Sequence, residues 1–200
     1  MWGKDEMRLF TGLETPAALC AASLVLAGPQ AAHTQILDEI KFGVMAHDVS
    51  DLGNGKESHS ADGQVELDTA RPGVLRWLGA PRVNAVLALN SAGKTNFGAM
   101  GLTWDRRLFS RLYGRLDLGM GLTDGVTDAP PGAAGGALHA HRLILGSKAL
   151  FREAIGVDWR LTGRWSIGAA FEHLSNGGLL GNHYNEGIND VGMTLSYRFK

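Results

Sequence analysis

From His33 to the end of the chain no apolar run approaches the ~20 residues that a membrane-spanning helix requires. Short segments of apolar and polar residues in strict alternation recur instead, separated by Gly, Pro, Asn and Asp. A period of two is the signature of a strand, whose successive side chains leave on opposite faces. In Trp165 to Ser175, Trp165, Ile167, Ala169 and Phe171 share one face, and Ser166, Gly168, Ala170 and Glu172 share the other. The final segment sets Val191, Met193, Leu195, Tyr197 and Phe199 against Gly192, Thr194, Ser196 and Arg198. Leu116, Leu118 and Met120 oppose Arg115, Asp117 and Gly119, while Ile40, Phe42 and Val44 oppose Glu39, Lys41 and Gly43. Val83, Ala85 and Leu87 form a further apolar face, and strands are also expected near Gly63 to Asp68, Thr95 to Trp104 and Ser147 to Arg160. The sum is roughly eight strands, a common size for a small closed barrel.

The same period suits a soluble sandwich with its oily face inward, so the beginning of the chain matters. Lys4 and Arg8 precede an apolar run from Pro16 to Ala27, followed by small residues at Ala31 and Ala32. This reads as a secretory signal peptide over residues 1–32, despite acidic neighbours at Asp5, Glu6 and Glu14, with the barrel over residues 33–200. Cys20, the one cysteine, lies in that segment, so thiolate and disulfide chemistry are excluded from the mature chain. Export and the aromatic ending favour an all-β, eight-stranded antiparallel transmembrane barrel of a bacterial outer membrane. A net charge of -1 offers no field for nucleic acid. The 28 glycines suit turns and crowded barrel positions. The Pro-, Gly- and Ala-rich stretch Thr127 to Ala140 reads as a mobile loop. Glu153 breaks the pattern: it falls on the oily face of Phe151, Ile155 and Val157, and the alternation gives no account of it.

Chemistry concentrates in FEHLSNGG, Phe171 to Gly178. His173 and Ser175 stand two apart, on the face that carries Trp165, Ile167, Ala169 and Phe171, and polar groups on a lipid-facing wall are expensive without a role. On spacing alone they read as ordinary polar residues where the strand leaves the membrane. His139 and His141 flank Ala140, but two ligands without a carboxylate or cysteine cluster make a weak metal site, so no metal or cofactor is expected. His47 and Asp48 are adjacent, point to opposite faces of a strand, and read as a strand-end feature.

H-x-S-N followed by glycines, then N-x-G-[IL] at Asn185 to Ile188, then a final strand ending in Tyr197 and Phe199, resembles the PagL lipid A 3-O-deacylases, often described as acyloxyacyl hydrolases. FGVMAHDVS at Phe42 to Ser50, GKTNFGAMGLTW at Gly93 to Trp104 and LGSKALFRE at Leu145 to Glu153 extend the resemblance over most of the mature chain. The resemblance implies an eight-stranded barrel that removes the ester-linked 3-position acyl chain of lipid A in the outer leaflet. It implies Ser175 as nucleophile, His173 as general base, and Asn176, Gly178 and Asn185 at positions that build or support the oxyanion hole. The family's third triad position is acidic, whereas Asn189 stands there in this chain. Its amide can accept a hydrogen bond from the imidazole but cannot stabilise imidazolium as a carboxylate does; Glu186 is the second choice. That substitution makes a catalytically silent structural or adhesive barrel the alternative function, with a soluble β-domain binding an apolar ligand third. The expected partner is lipid A or lipopolysaccharide; a homodimer is left open.

Overall fold

The computed structural model describes residues 36–199. The expected signal peptide and the start of the mature chain at His33 lie outside the described residues. Eight strands, β1 (Leu37–Ala46), β2 (Ala61–Thr69), β3 (Arg82–Asn90), β4 (Phe97–Phe109), β5 (Leu112–Thr123), β6 (Ala149–Arg160), β7 (Trp165–Ser175) and β8 (Ile188–Arg198), follow one another. Each pairs antiparallel with its neighbour, and β8 returns to pair with β1, closing the barrel. Closure removes every sheet edge, which is what allows strands to cross a bilayer with all backbone groups paired.

The alternation sets which face is which. Phe42, Val44, Leu87, Met100, Met120 and Met193 are exposed on the outer wall, a band that needs lipid rather than water around it. The inward residues are polar. Lys41 Nζ lies 2.6 Å from Glu66, Arg82 lies 2.9 Å from Glu39, and Arg152 bonds to Glu172. These groups fill the lumen and leave a cavity of about 10 Å³ among them, room for about one water, so the barrel is a packed body and no pore. Toward one end the ionic layer gives way to an apolar cluster of Phe97, Leu143, Leu145, Leu150, Leu174 and Ile188 with their neighbours. Leu143 and Leu145 come from the β5–β6 connection, so that loop folds back into the barrel mouth.

Both chain ends of the barrel lie at the end that holds the short β4–β5 and β6–β7 turns, residues 110–111 and 161–164. The connections 47–60, 124–148 and 176–187, the first two the longest of the barrel, lie at the other end, and the β2–β3 connection 70–81 lies with the short turns. Short turns face the periplasm in outer-membrane barrels and long loops face outward, so the apolar plug sits at the extracellular mouth.

Three local findings go beyond the sequence reading. The stretch expected to be a mobile loop contains a short helix, α1 (Ala133–His139). Its Gly135 and Gly136 are poor helix formers, so packing holds it: a Cβ on Gly135 would overlap the Pro130 carbonyl. The β2–β3 connection carries a 3-10 turn at Gly73–Leu78, where Leu78 O accepts from the Trp104 indole at 2.9 Å. Finally, β8 begins at Ile188, which brings Asn189 and Asp190 into the ladder.

Candidate active site

Along β7 the outward positions end with Phe171, His173 and Ser175, and the inward ones with Glu172 and Leu174. Register pairs His173 with Asn189 and Leu174 with Ile188. Leu174 and Ile188 are fully buried in the plug, so the floor beneath the outward pair is rigid. Asn189 Oδ1 lies 2.8 Å from His173 Nδ1. An amide oxygen only accepts, so Nδ1 carries the proton and Nε2 keeps its lone pair. Gly187 lies against the other edge of the ring, and a Cβ there would strike His173 Cε1. Ser175 Oγ has no hydrogen-bond partner among the described residues, two positions beyond the imidazole on the same face.

Asn176 and Asn185 serve as braces. The buried Asn176 amide donates to Leu145 O at 2.8 Å and Tyr184 O at 2.7 Å, and its Oδ1 accepts from Gly178 N at 2.7 Å. Asn185 Oδ1 takes the Asn176 backbone N–H at 3.0 Å. The Asn176 side chain thus ties the β5–β6 and β7–β8 loops together, leaving its amide no free hydrogen for a substrate. Gly177 and Gly178 both have positive φ, 63° and 69°, a turn that glycine makes without strain. Among the described residues the Gly177 N–H has no acceptor.

Two rows of side chains cross the top of the wall. The outward row, by register, runs Glu153 on β6, His173 on β7 and Asn189 on β8; just past β1, Val49 N donates to Asn189 O at 2.8 Å. Asp48 is buried, and its Oδ1 has no partner. Gly53 covers it; a Cβ there would collide with the Asn189 amide nitrogen and lie 3.6 Å from Asp48 Oδ1.

The inward row holds Arg152, Glu172, Asp190 and His47. His47 Nδ1 lies 2.8 Å from Asp62 and 3.4 Å from Asp190, and Nε2 lies 3.2 Å from Glu57. Burial opposes charging this imidazole, but its bonds to Asp190, Asp62 and Glu57 outweigh that and push it up to about 11. Burial likewise opposes the Glu57 carboxylate, but bonds from His47, Thr95 and Arg142 hold it down at about 2. His47, Asp62 and Asp190 have the donor set and spacing to hold a metal ion, yet an imidazolium with a carboxylate at each nitrogen satisfies the same geometry. Nothing in the spacing of residues 47, 57, 62 and 190 links them in the sequence.

Glu186 is turned away from the imidazole: it receives Lys56 at 2.5 Å, His139 at 2.9 Å and Ile144 N at 2.8 Å. Burial opposes its charge, but these bonds hold its carboxyl below the usual range. His139 therefore serves a loop clasp.

The family model described as lipid A 3-O-deacylase (PagL) matches residues 106–198, from the end of β4 through β8, and this span contains the whole outward row from Glu153 to Asn189. Over that span the chain is similar to the PagL family. Its place is the bacterial outer membrane. Among solved structures, the outer membrane enzyme PagL is 14% identical, with 80% of this chain covering 98% of that one at a TM-score of 0.51, a likeness of fold. The Yersinia pestis outer membrane protein Ail is 13% identical over 82% of this chain and 99% of its own at 0.45. A de novo designed transmembrane β-barrel is 9% identical over 81% and 94% at 0.49. No curated protein sequence matches.

Proposed function

We propose that this chain hydrolyses the ester-linked 3-position acyl chain of lipid A, with Ser175 as nucleophile and His173 as general base. One observation carries the reading: an imidazole with its Nδ1 anchored at 2.8 Å on Asn189 shares the outward face of β7 with an unbonded serine hydroxyl two residues on. Ser175 Oγ attacks the acyl carbonyl while His173 Nε2 takes its proton. The oxyanion meets the free Gly177 N–H, held by a turn that Asn176 and Asn185 brace. Collapse breaks the ester bond, and His173 protonates the departing sugar 3-oxygen. Water then attacks the acyl-Ser175 ester with His173 again as base, releasing a fatty acid and restoring the hydroxyl.

The second reading, a silent barrel, rests on Asn189, which orients an imidazole without compensating its charge. Incubation of purified protein with lipid A, followed by mass spectrometry, separates the two. Wild type should lose one ester-linked acyl chain per lipid A. Ser175→Ala and His173→Ala should each fall by about 10³-fold or more, and the double variant little further, because the two act as a unit. Intact lipid A after incubation with wild type favours the silent barrel.

A further inference from the structure

Resting on the Ser175–His173 reading, we infer that Glu153 supplies the negative charge that the third triad position lacks. Glu153 is exposed on the outer wall of β6, where register sets it opposite His173 on one side and Leu118 on the other. A carboxylate on a lipid-facing wall is costly. No Lys or Arg among the described residues pairs with Glu153, so no ion pair offsets that cost. Facing residues in antiparallel strands hold their Cβ atoms about 5 Å apart, which brings a glutamate within reach of the neighbouring imidazole.

A triad carboxylate has two tasks, orienting the imidazole and stabilising the imidazolium formed when the serine proton is taken. This chain divides them between the two strands that flank β7. Asn189 on β8 holds Nδ1 in place, and Glu153 on β6 stabilises the positive charge through space, at the membrane boundary where screening by water is weak.

The other charged groups do not substitute. Asp48 lies beyond Asn189. Arg152, Glu172 and Asp190 point into the lumen from β6, β7 and β8, and Glu186 is held by Lys56 and His139. Outward neighbours on β5, such as Leu118 and Met120, carry no charge.

The test uses the full chain in detergent micelles with two readouts, kcat and KM on lipid A and the rate at which a fluorophosphonate probe attaches to Ser175. Glu153→Gln removes only charge and cannot unfold a wall that prefers neutral residues. We expect kcat and probe attachment to fall together by roughly tenfold, with KM unchanged and the rising limb of kcat moved to lower pH. Glu153→Asp should retain most of the rate. Asn189→Asp added to Glu153→Gln should restore it, since the charge returns on the other side of the ring. A wild-type kcat in Glu153→Gln, a change in KM alone, or no rescue by Asn189→Asp overturns the assignment while leaving Ser175 as nucleophile. A wild type that neither deacylates nor takes up probe overturns both.

Discussion

Around His173 the decisive residues are small ones that let others approach. Gly53 has φ of -164°, an ordinary extended value, so only the lack of a side chain matters there. A Cβ would displace the Asn189 amide from its contact with His173. A misplacement of about 1 Å costs on the order of 10²-fold in an oriented reaction. Gly53→Ala is therefore predicted to lower kcat by tens of fold while leaving the thermal midpoint of the barrel within a few degrees. Gel heat-modifiability and deacylation kinetics measured on the same preparation check this. An unchanged kcat would show that hydrolysis does not need Asn189 where it stands. The resemblance ranks Asn189 above Glu186, and in the structure Lys56 and His139 hold that glutamate in a loop clasp.

Between elements, the loops are joined to the wall by buried charge. Glu57, from the β1–β2 connection, receives Arg142 Nε at 2.6 Å and Leu143 N at 3.2 Å from the β5–β6 connection, and it meets His47 at the end of β1. The pH dependence follows from the signs. His47 is raised to about 11, so its contribution is complete below its ordinary value near 6.5 and is lost as pH climbs toward 11. Glu57 is lowered to about 2, so its contribution is complete above about 4.5 and is lost as pH falls toward 2. The cage should thus hold the loops best between about pH 4.5 and 6.5. Limited proteolysis of the β1–β2 loop should be slowest in that window and faster at pH 9; a rate unaffected by pH would refute the cage. His47→Gln, which leaves Asp62 and Asp190 without their cation, should speed cleavage throughout, since breaking a buried ionic cluster costs about 3–5 kcal/mol. Sequence made the strands legible because their period is local: β7 was bounded at Trp165 and Ser175 from alternation alone. The cage was not legible, because its partners are brought together only when the barrel closes, and α1 was not, because its glycines mask a helix that packing holds. Glu153 lies between these cases. Alternation exposed it as an anomaly, and only strand register set it beside His173.

For the whole molecule, lumen and wall together dictate how a substrate arrives. A lumen packed with ion pairs admits no acyl chain, so under the proposed function a lipid reaches Ser175 laterally from the membrane. The height of the site then decides which leaflet supplies it. Trp165 stands at the start of β7, edge-on to Tyr197 at 4.8 Å, and Tyr197 lies 5.4 Å from Phe199, an aromatic group suited to the periplasmic interface. Eight residues separate Trp165 from His173. At ~3.3 Å per residue and ~45° of tilt they climb roughly 19 Å of an apolar band about 25 Å tall. That places His173 and Ser175 just below the outer headgroups, where an ester close to a sugar lies. Intact cells expressing the chain are therefore predicted to accumulate 3-O-deacylated lipid A in their outer leaflet, and cells with Ser175→Ala are not. Lipid A released from unbroken cells and weighed by mass spectrometry provides the measurement. Deacylation that appears only after lysis or detergent would mean that the pair sits at the wrong height, and the orientation argued from loop lengths would fall with it.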